Sequence, residues 1–415
     1  MRVHVESYGC TQNHGEARLM QQALMSRGHA IAATPAEADA NVLVTCTVIE
    51  HTERRMLARM RALAADDRPL VVAGCMAAAQ RDLVRRTVPE AMLLPPRTWP
   101  QIVELLGAGT ACGETALEAE RLHAAWRDAI VPIAQGCAGR CTYCITRIAR
   151  GQVTSYPIPE LVSAIRSHVE AGIRDIKLTG QDTAAYGMDT GRTLADLLRE
   201  ATAIEGDFRI RVGMMDPFTA LPIVEGLVDA FASPKVYKFL HLPVQSGDDG
   251  ILEAMGREYA VADFERIVVR FRRAYPEITL STDVIVGFPG ETEEAFERTM
   301  DLVRRIRPDV VNVKGFSPRN GTPAASMGNR IVGWRVKDRT RRLSLLRLRI
   351  AREIHEGLVG RTLTVLTTEP GKAGTTLSRT DTYRQVVLPS DEPIAEFRTA
   401  RIVAGRETDL VGELI

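Results

Sequence analysis

The sequence has neither a marked excess of charge nor a long apolar run. It holds 53 lysines and arginines against 52 acidic residues, a formal net charge of +1. A uniformly basic nucleic-acid-binding protein is therefore excluded, and any basic surface must be local. No stretch of about eighteen apolar residues occurs, so the sequence predicts no membrane span. The chain enters a strand-like pattern at Arg2 without an apolar signal region.

Cysteine is also scarce, with seven residues in a chain of 415. This low, odd count excludes a disulfide scaffold and fits metal-binding thiols in a reducing compartment, so we expect a cytoplasmic protein. Hydrophobic residues make up 45% and charged residues 25% of the chain, which is typical of soluble proteins with ample cores. The length predicts two or three domains.

Three of the cysteines form one short run, Cys137-x3-Cys141-x2-Cys144. Three thiolates cannot complete a structural zinc site, which takes four protein ligands. The run suits a cubane iron–sulfur cluster in which three irons bind thiolates and the fourth is left for another ligand. The alternative is a fortuitous group of buried or metal-storage thiols.

Three further cysteines, Cys10, Cys46 and Cys75, each directly follow a strand-like run. Helix-length segments over 15–27 and 52–65 separate the runs, and this alternation predicts a parallel sheet. Because ligands gather at the carboxyl ends of such strands, the three thiols can converge on one site. Three unrelated core cysteines are the alternative. The second triplet elsewhere in the chain favours a second cluster.

The two triplets together resemble those of the methylthiotransferases, which are radical S-adenosylmethionine (SAM) enzymes with one cluster for SAM and an auxiliary cluster for sulfur. The resemblance covers essentially the whole chain, including a tail similar to the RNA-binding TRAM domain. Its motifs are Glu6–Asn13, Gln135–Gly151, His241–Gly247 and Asp283–Thr292. Four stretches are similar to the archaeal and eukaryotic enzymes that act on threonylcarbamoyladenosine in tRNA: Ala149–Ile158, Thr179–Gly187, Arg211–Met214 and Met255–Phe264.

The patterns predict an α/β protein. An N-terminal parallel-sheet domain is expected over 1–107, a linker containing an unliganded Cys112 over 108–128, and a radical SAM core over 129–333. A basic helix (334–356) and a small antiparallel, TRAM-like β-barrel (357–415) follow. The core is expected to be an incomplete (βα)6 barrel, with the strands Ile130–Gln135, Asp175–Thr179, Arg209–Met214, Tyr237–Leu242, Thr279–Val286 and Asp309–Lys314. The helices expected between these strands include Pro159–Ala171, Leu194–Ala203, Ala220–Phe231, Val261–Ala274 and Glu293–Arg305.

The resemblance also implies SAM-binding residues at the strand ends. Thr179, Gly180, Gln181 and Asp182 are expected beside the methionine moiety. Asp283 and Ile285 are expected along the adenine pocket. Three residues that close the fourth strand are expected at the ribose or carboxylate: His241, Gln245 and Ser246.

The implied reaction uses two [4Fe-4S] clusters and two molecules of SAM: one methylates a cluster-held sulfur, and cleavage of the other enables removal of hydrogen from adenine carbon 2. The implied partners are the tRNA anticodon loop (position 37), an electron donor and a sulfur donor. We expect the enzyme to be a monomer and not to associate with membranes. Isopentenyladenosine in tRNA and a ribosomal-protein aspartate are alternative substrates. A non-catalytic iron–sulfur RNA-binding protein is the alternative of another class.

Charge suggests where RNA is contacted. Residues 334–355 form an amphipathic pattern with a basic face, from which Arg335, Arg341, Arg342 and Arg349 are predicted to bind RNA. The alternative is a solvated helix whose arginines form intramolecular ion pairs. The TRAM-like tail is slightly acidic, so the helix is favoured over the tail as the main RNA-binding element. A threonylcarbamoyl carboxylate needs a cation, for which the candidates are Arg147, Arg150, Arg211 and Arg319.

Overall fold

The computed structural model describes residues 1–48, 50–107 and 127–415. The predicted linker, with Cys112, lies outside these residues except for Arg127 and Asp128. Within the described ranges, no helix combines the length and apolar character needed to cross a membrane.

The N-terminal region forms a five-stranded parallel sheet, which confirms the predicted alternation of strands and helices. Its strands are β1 (Arg2–Ser7), β2 (Ala30–Ile31), β3 (Ala40–Thr45), β4 (Leu70–Gly74) and β5 (Met92–Leu94). Their order is β2-β1-β3-β4-β5, and every neighbouring pair is parallel. The carboxyl ends of β1, β3 and β4 therefore lie side by side.

Helices cover both faces of this sheet: α1 (Thr11–Met25), α2 (Glu50–Leu63), α3 (Cys75–Ala79), α4 (Arg81–Thr87) and α5 (Ile102–Leu106), with 3-10 turns at Pro35–Glu37 and Pro96–Gln101. Val42 belongs to the core that includes Leu24 on one face. The next residue, Leu43, belongs to the core with Met56 and Met60 on the other. Strands covered on both faces need apolar residues at successive positions, as β3 has.

The central region is an open barrel of parallel strands. Its strands are β6 (Ala129–Pro132), β9 (Asp175–Thr179), β10 (Arg209–Val212), β11 (Phe239–His241), β12 (Thr279–Val286) and β13 (Val310–Gly315). A short antiparallel hairpin, β7 (Ala134–Gln135) and β8 (Thr154–Ser155), follows β6. The strands form the sheets β10-β9-β6 and β11-β12-β13. A parallel bridge between Ile210 and Val236 connects the two sheets, so six strands follow one another as predicted.

Helices surround the barrel: α6 (Ile145–Arg150), α7 (Ile158–Glu170), α8 (Leu194–Thr202), α9 (Pro217–Ala220), α10 (Val224–Ala230), α11 (Asp249–Ala254), α12 (Val261–Ala274) and α13 (Glu293–Ile306), with 3-10 turns at Leu221–Ile223 and Pro323–Ser326. One helix prediction is wrong, because a single helix over 220–231 was expected. The 3-10 turn interrupts it at Pro222, which lacks the backbone N–H that a helix interior requires.

The C-terminal region consists of a long helix and a closed five-stranded barrel. The elements are α14 (Gly333–Glu356), β14 (Thr362–Pro370), β15 (Thr376–Thr380), β16 (Gln385–Leu388), β17 (Phe397–Gly405) and β18 (Leu410–Leu414). The barrel order is β14-β15-β16-β18-β17. Four pairings are antiparallel, but β16 and β18 are parallel. The expectation of a purely antiparallel barrel is therefore corrected: closure places β18 alongside β16 in the same direction.

The small barrel docks against the amino-terminal ends of the central strands. Arg384 forms a 2.5 Å ion pair with Asp309, just before β13, and both side chains are buried. The Tyr383 ring lies 4.8 Å from the ring of Tyr237 and 5.0 Å from that of Phe239. This contact closes one end of the central barrel and leaves the carboxyl ends of its strands on the opposite side.

Candidate active site

The cysteine run lies in the loop between β7 and α6, braced by the end of α11 and by the 3-10 turn Pro323–Ser326, whose Ala324 N–H donates to the Thr142 carbonyl at 2.9 Å. Thr142 donates from its backbone to Met255 (2.9 Å) and from its hydroxyl to Ala254 (2.9 Å), at the end of α11. The Gly139 N–H donates to the Cys137 sulfur at 3.4 Å. A loop held at several points can present its three thiols in a fixed arrangement.

Burial governs the protonation of these thiols. It raises the pKa of Cys137 to about 12 and that of Cys141 to about 11, and the neighbouring thiols add to both shifts. Without metal the Cys137 and Cys141 sulfurs are therefore protonated at neutral pH. Metal binding must displace these protons, as it does at thiolate sites generally.

The N-terminal triplet assembles from three strand ends. Cys10 precedes α1, Cys46 follows β3, and Cys75 follows β4. A Cβ atom on Gly9, whose φ is +113°, would lie 2.5 Å from Cβ of Cys46, so only glycine allows this approach. The pKa of Cys75 is raised to about 12, chiefly by burial, with the Arg150 guanidinium opposing the shift and the charges of Cys10 and Cys46 adding to it. The three thiols therefore share one electrostatic neighbourhood.

The donor chemistry of both triplets fits iron–sulfur clusters. Among the residues described, no three cysteine, histidine or acidic side chains are close enough to share a single metal ion. Thiols around a cubane are more widely spaced, because each binds a different iron. Three soft thiolates per site would hold three irons and leave the fourth available.

A buried network joins the N-terminal domain to the central barrel beside the N-terminal triplet. Arg150, at the end of α6, is 1% exposed. It pairs with Glu16 of α1 and donates to Gln135 and Asn13, each at 2.8 Å. Gln12 donates to Glu16 at 3.0 Å. Sequence reasoning missed Glu16, whose only signal is an acidic residue on the buried side of α1.

A second buried pair joins the two domains on another side. Arg319, beyond β13, pairs with Glu53 of α2 and donates to Thr47 at 3.2 Å. Thr47 directly follows Cys46. Arg150 and Arg319 are therefore satisfied by glutamates of this chain, which argues against both as readers of a substrate carboxylate.

The other two arginine candidates lie in different places. Arg147 donates to the Gly139 carbonyl within the cysteine loop. Arg211 lies 5.1 Å from the Phe239 ring and 5.7 Å from the Tyr383 ring of the docked barrel, toward the closed end. Of the four, Arg147 is the one that remains beside the cysteines without an acidic partner among the described residues.

The residues predicted to bind SAM follow β9. Asp182 is 3% exposed and accepts from Thr219 (2.7 Å) and from the backbone of Asp216 (2.9 Å). Burial, with the charge of Asp216, raises the pKa of Asp182 to about 7, and Asp182 in turn raises that of Cys137. Oε1 of Gln181 is buried without a partner among the described residues. Buried acceptors are rarely left unsatisfied, so this oxygen points to a ligand.

Beside them, Thr179 is buried at the end of β9 and Gly180 follows it half-buried. On the facing strands, His241 Nε2 lies 2.8 Å from Asp283 Oδ2. Burial opposes ionisation of Asp283, but the hydrogen bond and charge of His241 hold its pKa below the usual value. Ile285 lines the same side of β12, two residues on.

Gln245 and Ser246 have separate roles in the loop after β11. Gln245 is 7% exposed and has a φ of +66°, an unusual conformation for a non-glycine residue. Such backbone strain is concentrated at functional sites. The Ser246 hydroxyl instead accepts from the Asp248 N–H at 3.2 Å and lies 3.5 Å from Thr299 of α13, so the loop itself uses it.

The structure adds a role for Arg257, which lies in the Met255–Phe264 stretch but was not singled out as a site residue. Arg257 forms a buried ion pair with Asp216, the residue that donates to Asp182, and donates to the Tyr143 hydroxyl at 2.5 Å. Tyr143, within the cysteine run, packs edge-on against Phe288 with ring centroids 6.2 Å apart. Arg257 thus links the cysteine loop to the acidic end of β10. The stretch did not indicate its partner, because Asp216 lies 41 residues earlier in the chain.

The basic helix α14 is largely engaged in internal ion pairs. Arg342 bonds two glutamates of α13. The Arg341 side chain is 72% exposed and reaches Asp338 at only 3.7 Å. Arg335 lies 5.2 Å from the ring of Trp334, which is 67% exposed. Arg349 is exposed. The predicted RNA contacts thus divide into one neutralised arginine, Arg342, and three accessible ones.

Similarity to solved structures shows the fold. The radical S-adenosylmethionine methyltransferase TsrM from Kitasatospora setae aligns with a TM-score of 0.55 at 16% identity, covering 78% of this chain and 77% of that chain. The cobalamin-dependent S-adenosylmethionine radical enzyme OxsB aligns with a TM-score of 0.53 at 9% identity, covering 78% of this chain and 54% of that chain. The open barrel described above is therefore the radical SAM fold.

Family comparisons identify both α/β regions. The radical SAM superfamily matches residues 131–303, and the uncharacterized protein family UPF0004 matches residues 2–94. The probable threonylcarbamoyladenosine tRNA methylthiotransferase of Pyrococcus horikoshii is 41% identical and covers 100% of both chains. The Drosophila melanogaster enzyme of that name is 33% identical over 100% of this chain and 78% of its own. The chain belongs to the threonylcarbamoyladenosine tRNA methylthiotransferase family.

Proposed function

We propose that the protein converts N6-threonylcarbamoyladenosine next to the tRNA anticodon (position 37) to its 2-methylthio derivative. One observation carries the proposal: two cysteine triplets, each suited to three irons, lie at the carboxyl ends of two parallel sheets that buried ion pairs hold together. An enzyme that used SAM for methyl transfer or radical chemistry alone would need only one triplet. Full-length relatives named for this substrate support the choice of base.

Cys137, Cys141 and Cys144 would hold the SAM-binding cluster, and Cys10, Cys46 and Cys75 the auxiliary one. When bound, the clusters and SAM supply the electron transfer, radical chemistry and methylthio group that side chains lack. The aromatic rings of Tyr143, Phe288 and Phe316 pack together beside the cysteine loop and would exclude water from it.

The strand ends would hold SAM. Asp182 and the free Oε1 of Gln181 offer acceptors to its ammonium group, and the open turn at Gly180 lets the backbone approach. The His241–Asp283 pair offers both a donor and an acceptor to ribose hydroxyls. Gln245 and Ile285 border the same end of β12, since Gln245 forms a bridge with Val284.

We place the threonylcarbamoyl carboxylate at Arg147. Its guanidinium is half-buried beside the cysteine loop, where a charge-assisted contact is strongest. The accessible arginines of α14 and the TRAM-like barrel would contact the remaining anticodon arm. An external electron donor and sulfur donor complete the reaction, which we place in the cytoplasm and assign to a monomer.

Nucleoside mass spectrometry tests the substrate. Reconstituted enzyme should methylthiolate an anticodon stem-loop carrying threonylcarbamoyladenosine and leave loops with isopentenyladenosine or adenosine essentially unmodified. A site built around a charge contact rejects the uncharged analogue, because its own cation would be left unpaired. Equal turnover of the isopentenyl loop would overturn the substrate assignment and favour the sister activity.

The matched variants are Arg147→Lys and Arg147→Met. Lysine should retain part of the activity at a raised KM, whereas methionine should lose the preference for the threonylcarbamoyl group. SAM cleavage without RNA should persist in both. Unchanged substrate preference in Arg147→Met would remove Arg147 from this role. Product from a peptide containing the ribosomal-protein aspartate would point to the protein-modifying branch instead.

A further inference from the structure

Arg150 brings a buried positive charge from the central barrel to the N-terminal triplet. It closes α6, the helix that begins directly after Cys144, yet its bonds reach Asn13 and Glu16 of the other domain. The Cys10 thiol in turn lies 3.9 Å from Asn13 Oδ1, the same oxygen that accepts from Arg150. One side chain thus connects the loop of one triplet to the site of the other.

The bonds of Arg150 leave one donor unused. Its Nη atoms bond to Glu16, Gln135 and Asn13. Its Nε is buried and has no partner among the described residues. A buried N–H without an acceptor costs about 1–3 kcal/mol, so such donors persist where an acceptor arrives later. The charges of Cys75 and Cys10 act on the Arg150 guanidinium, which places those thiols close by.

We propose that Arg150 is a positioning residue that tunes the auxiliary cluster, through its charge and its unused N–H, and makes that cluster easier to reduce. The inference rests on the proposed second cluster. One-electron reduction adds a negative charge to a cluster, and a nearby cation stabilises that charge. Net charge and hydrogen bonds near the sulfurs are among the factors that set such potentials. Burial strengthens the effect, because screening is weak in the protein interior.

The two charges of the Arg150–Glu16 pair are placed differently relative to the N-terminal thiols. Arg150 acts directly on the thiols, whereas Glu16 lies on α1 and also accepts from Gln12 and Gln135. Removing the cation should lower the potential of the auxiliary cluster, and removing the anion should raise it. A purely structural tie between the domains would give no such opposite response.

The measurement is an EPR-monitored redox titration of protein carrying Cys137→Ala, Cys141→Ala and Cys144→Ala, so that one cluster titrates. In this background Arg150→Met should shift the midpoint to a more negative potential, and Arg150→Lys should shift it less. Glu16→Gln should shift it the opposite way. Arg150→Met combined with Glu16→Gln removes both charges, which avoids an unpaired buried ion if the single variant folds poorly.

Arg384→Met is the matched control. It breaks another buried ion pair, with Asp309, at the far end of the barrel, and should leave the midpoint unchanged. Full iron content with an unchanged midpoint in Arg150→Met, or a double variant whose midpoint is no lower than that of Glu16→Gln alone, would overturn the inference alone. If the background protein holds no iron–sulfur cluster at all, the proposed auxiliary cluster fails and this inference fails with it.

Discussion

The two cysteine triplets reach the same face of the molecule by different routes. Cys137, Cys141 and Cys144 share one loop of eight residues, whereas Cys10, Cys46 and Cys75 meet only because β1, β3 and β4 are neighbours in a parallel sheet. The first arrangement depends on local chain geometry. The second exists only when the sheet has formed.

Their electrostatic surroundings also differ. A buried acid, Asp182, acts on Cys137 of the local triplet. A buried base, Arg150, acts on Cys75 of the assembled triplet. An acid that ionises near neutral pH suits the cationic sulfonium of SAM at the proposed SAM site, and a cation suits the proposed auxiliary site, where anionic sulfur would be held. The difference indicates that two similar donor sets can be specialised by one charged neighbour each.

The largest expected effect separates the two triplets by activity. Replacing Cys137, Cys141 and Cys144 with alanine should abolish both SAM cleavage and methylthio product, because no iron remains for SAM. Replacing Cys10, Cys46 and Cys75 should abolish product but leave SAM cleavage. Chromatography of 5′-deoxyadenosine and nucleoside mass spectrometry measure the two readouts. Methylthio product from the second variant would show that the N-terminal triplet is not needed for the reaction.

The second-largest expected effect is a difference in unfolding free energy between variants that remove a contact supporting each triplet. Glu16→Ala leaves Arg150 buried without its anion, and should cost about 3–5 kcal/mol of unfolding free energy. Thr142→Val removes one hydrogen bond, to Ala254, from the loop of the local triplet and should cost about 1 kcal/mol. Denaturant unfolding of the metal-free proteins measures both. Equal costs would show that the assembled triplet depends no more on the domain contact than the local one does on its loop.

The acid beside the local triplet predicts a pH dependence. The pKa of Asp182 is raised from 3.8 to about 7, so the folded protein prefers the protonated acid. The stability from this preference is present below the unfolded value and is lost as the pH rises toward 7. Asp182→Asn should therefore stabilise the metal-free protein at pH 8, by roughly 2 kcal/mol, and hardly at pH 4.

Asp196 provides the opposite control. Burial opposes ionisation there, but the capping-box bonds to Thr193 lower its pKa. Its stabilisation is present above the unfolded value and lost in acid, so Asp196→Asn should destabilise the protein at pH 8. Thermal unfolding across this pH range checks both signs. An Asp182→Asn variant that is less stable than the parent protein at pH 8 would contradict the raised pKa of Asp182.

The smallest expected effect concerns RNA binding by α14, which lies outside both triplets. Arg341→Gln with Arg349→Gln should weaken tRNA binding about two- to fivefold and lower the salt slope by about 1 per lost phosphate contact. Arg342→Gln is the matched control, since its guanidinium already bonds α13. Filter binding at several salt concentrations measures the slopes. Identical slopes for the parent, the double variant and Arg342→Gln would show that α14 is an internally ion-paired surface helix that does not bind RNA.

Sequence reasoning predicted the elements with strong periodicity. The bounds of β9, β12 and α12 match the predictions, because an apolar pattern between clear breaks defines each of them. The split of the helix over 220–231 and the parallel β16–β18 pair were missed. The split has a local cause that the prediction overlooked, the missing backbone N–H of Pro222. The β16–β18 pair depends on closure of the barrel, because it joins residues 24 apart, such as Val386 and Leu410.

The site was predictable where its residues share a motif or follow a strand. The convergence of Cys10, Cys46 and Cys75 could be inferred from the strand order of a parallel sheet. Glu16, Glu53 and Arg257 could not, because each acts through a partner more than forty residues away. Charge pairs between distant segments of the chain leave no periodic trace in the sequence.

The most direct test of the two-cluster account is the iron and sulfide content of anaerobically reconstituted protein, combined with Mössbauer spectroscopy. The parent should bind about eight irons and eight sulfides, and each triple-alanine variant about four of each, all in cubane clusters. The surviving cluster should differ between the two variants in its spectrum. A parent with about four irons, or a Cys10, Cys46 and Cys75 variant that keeps them all, would contradict the account.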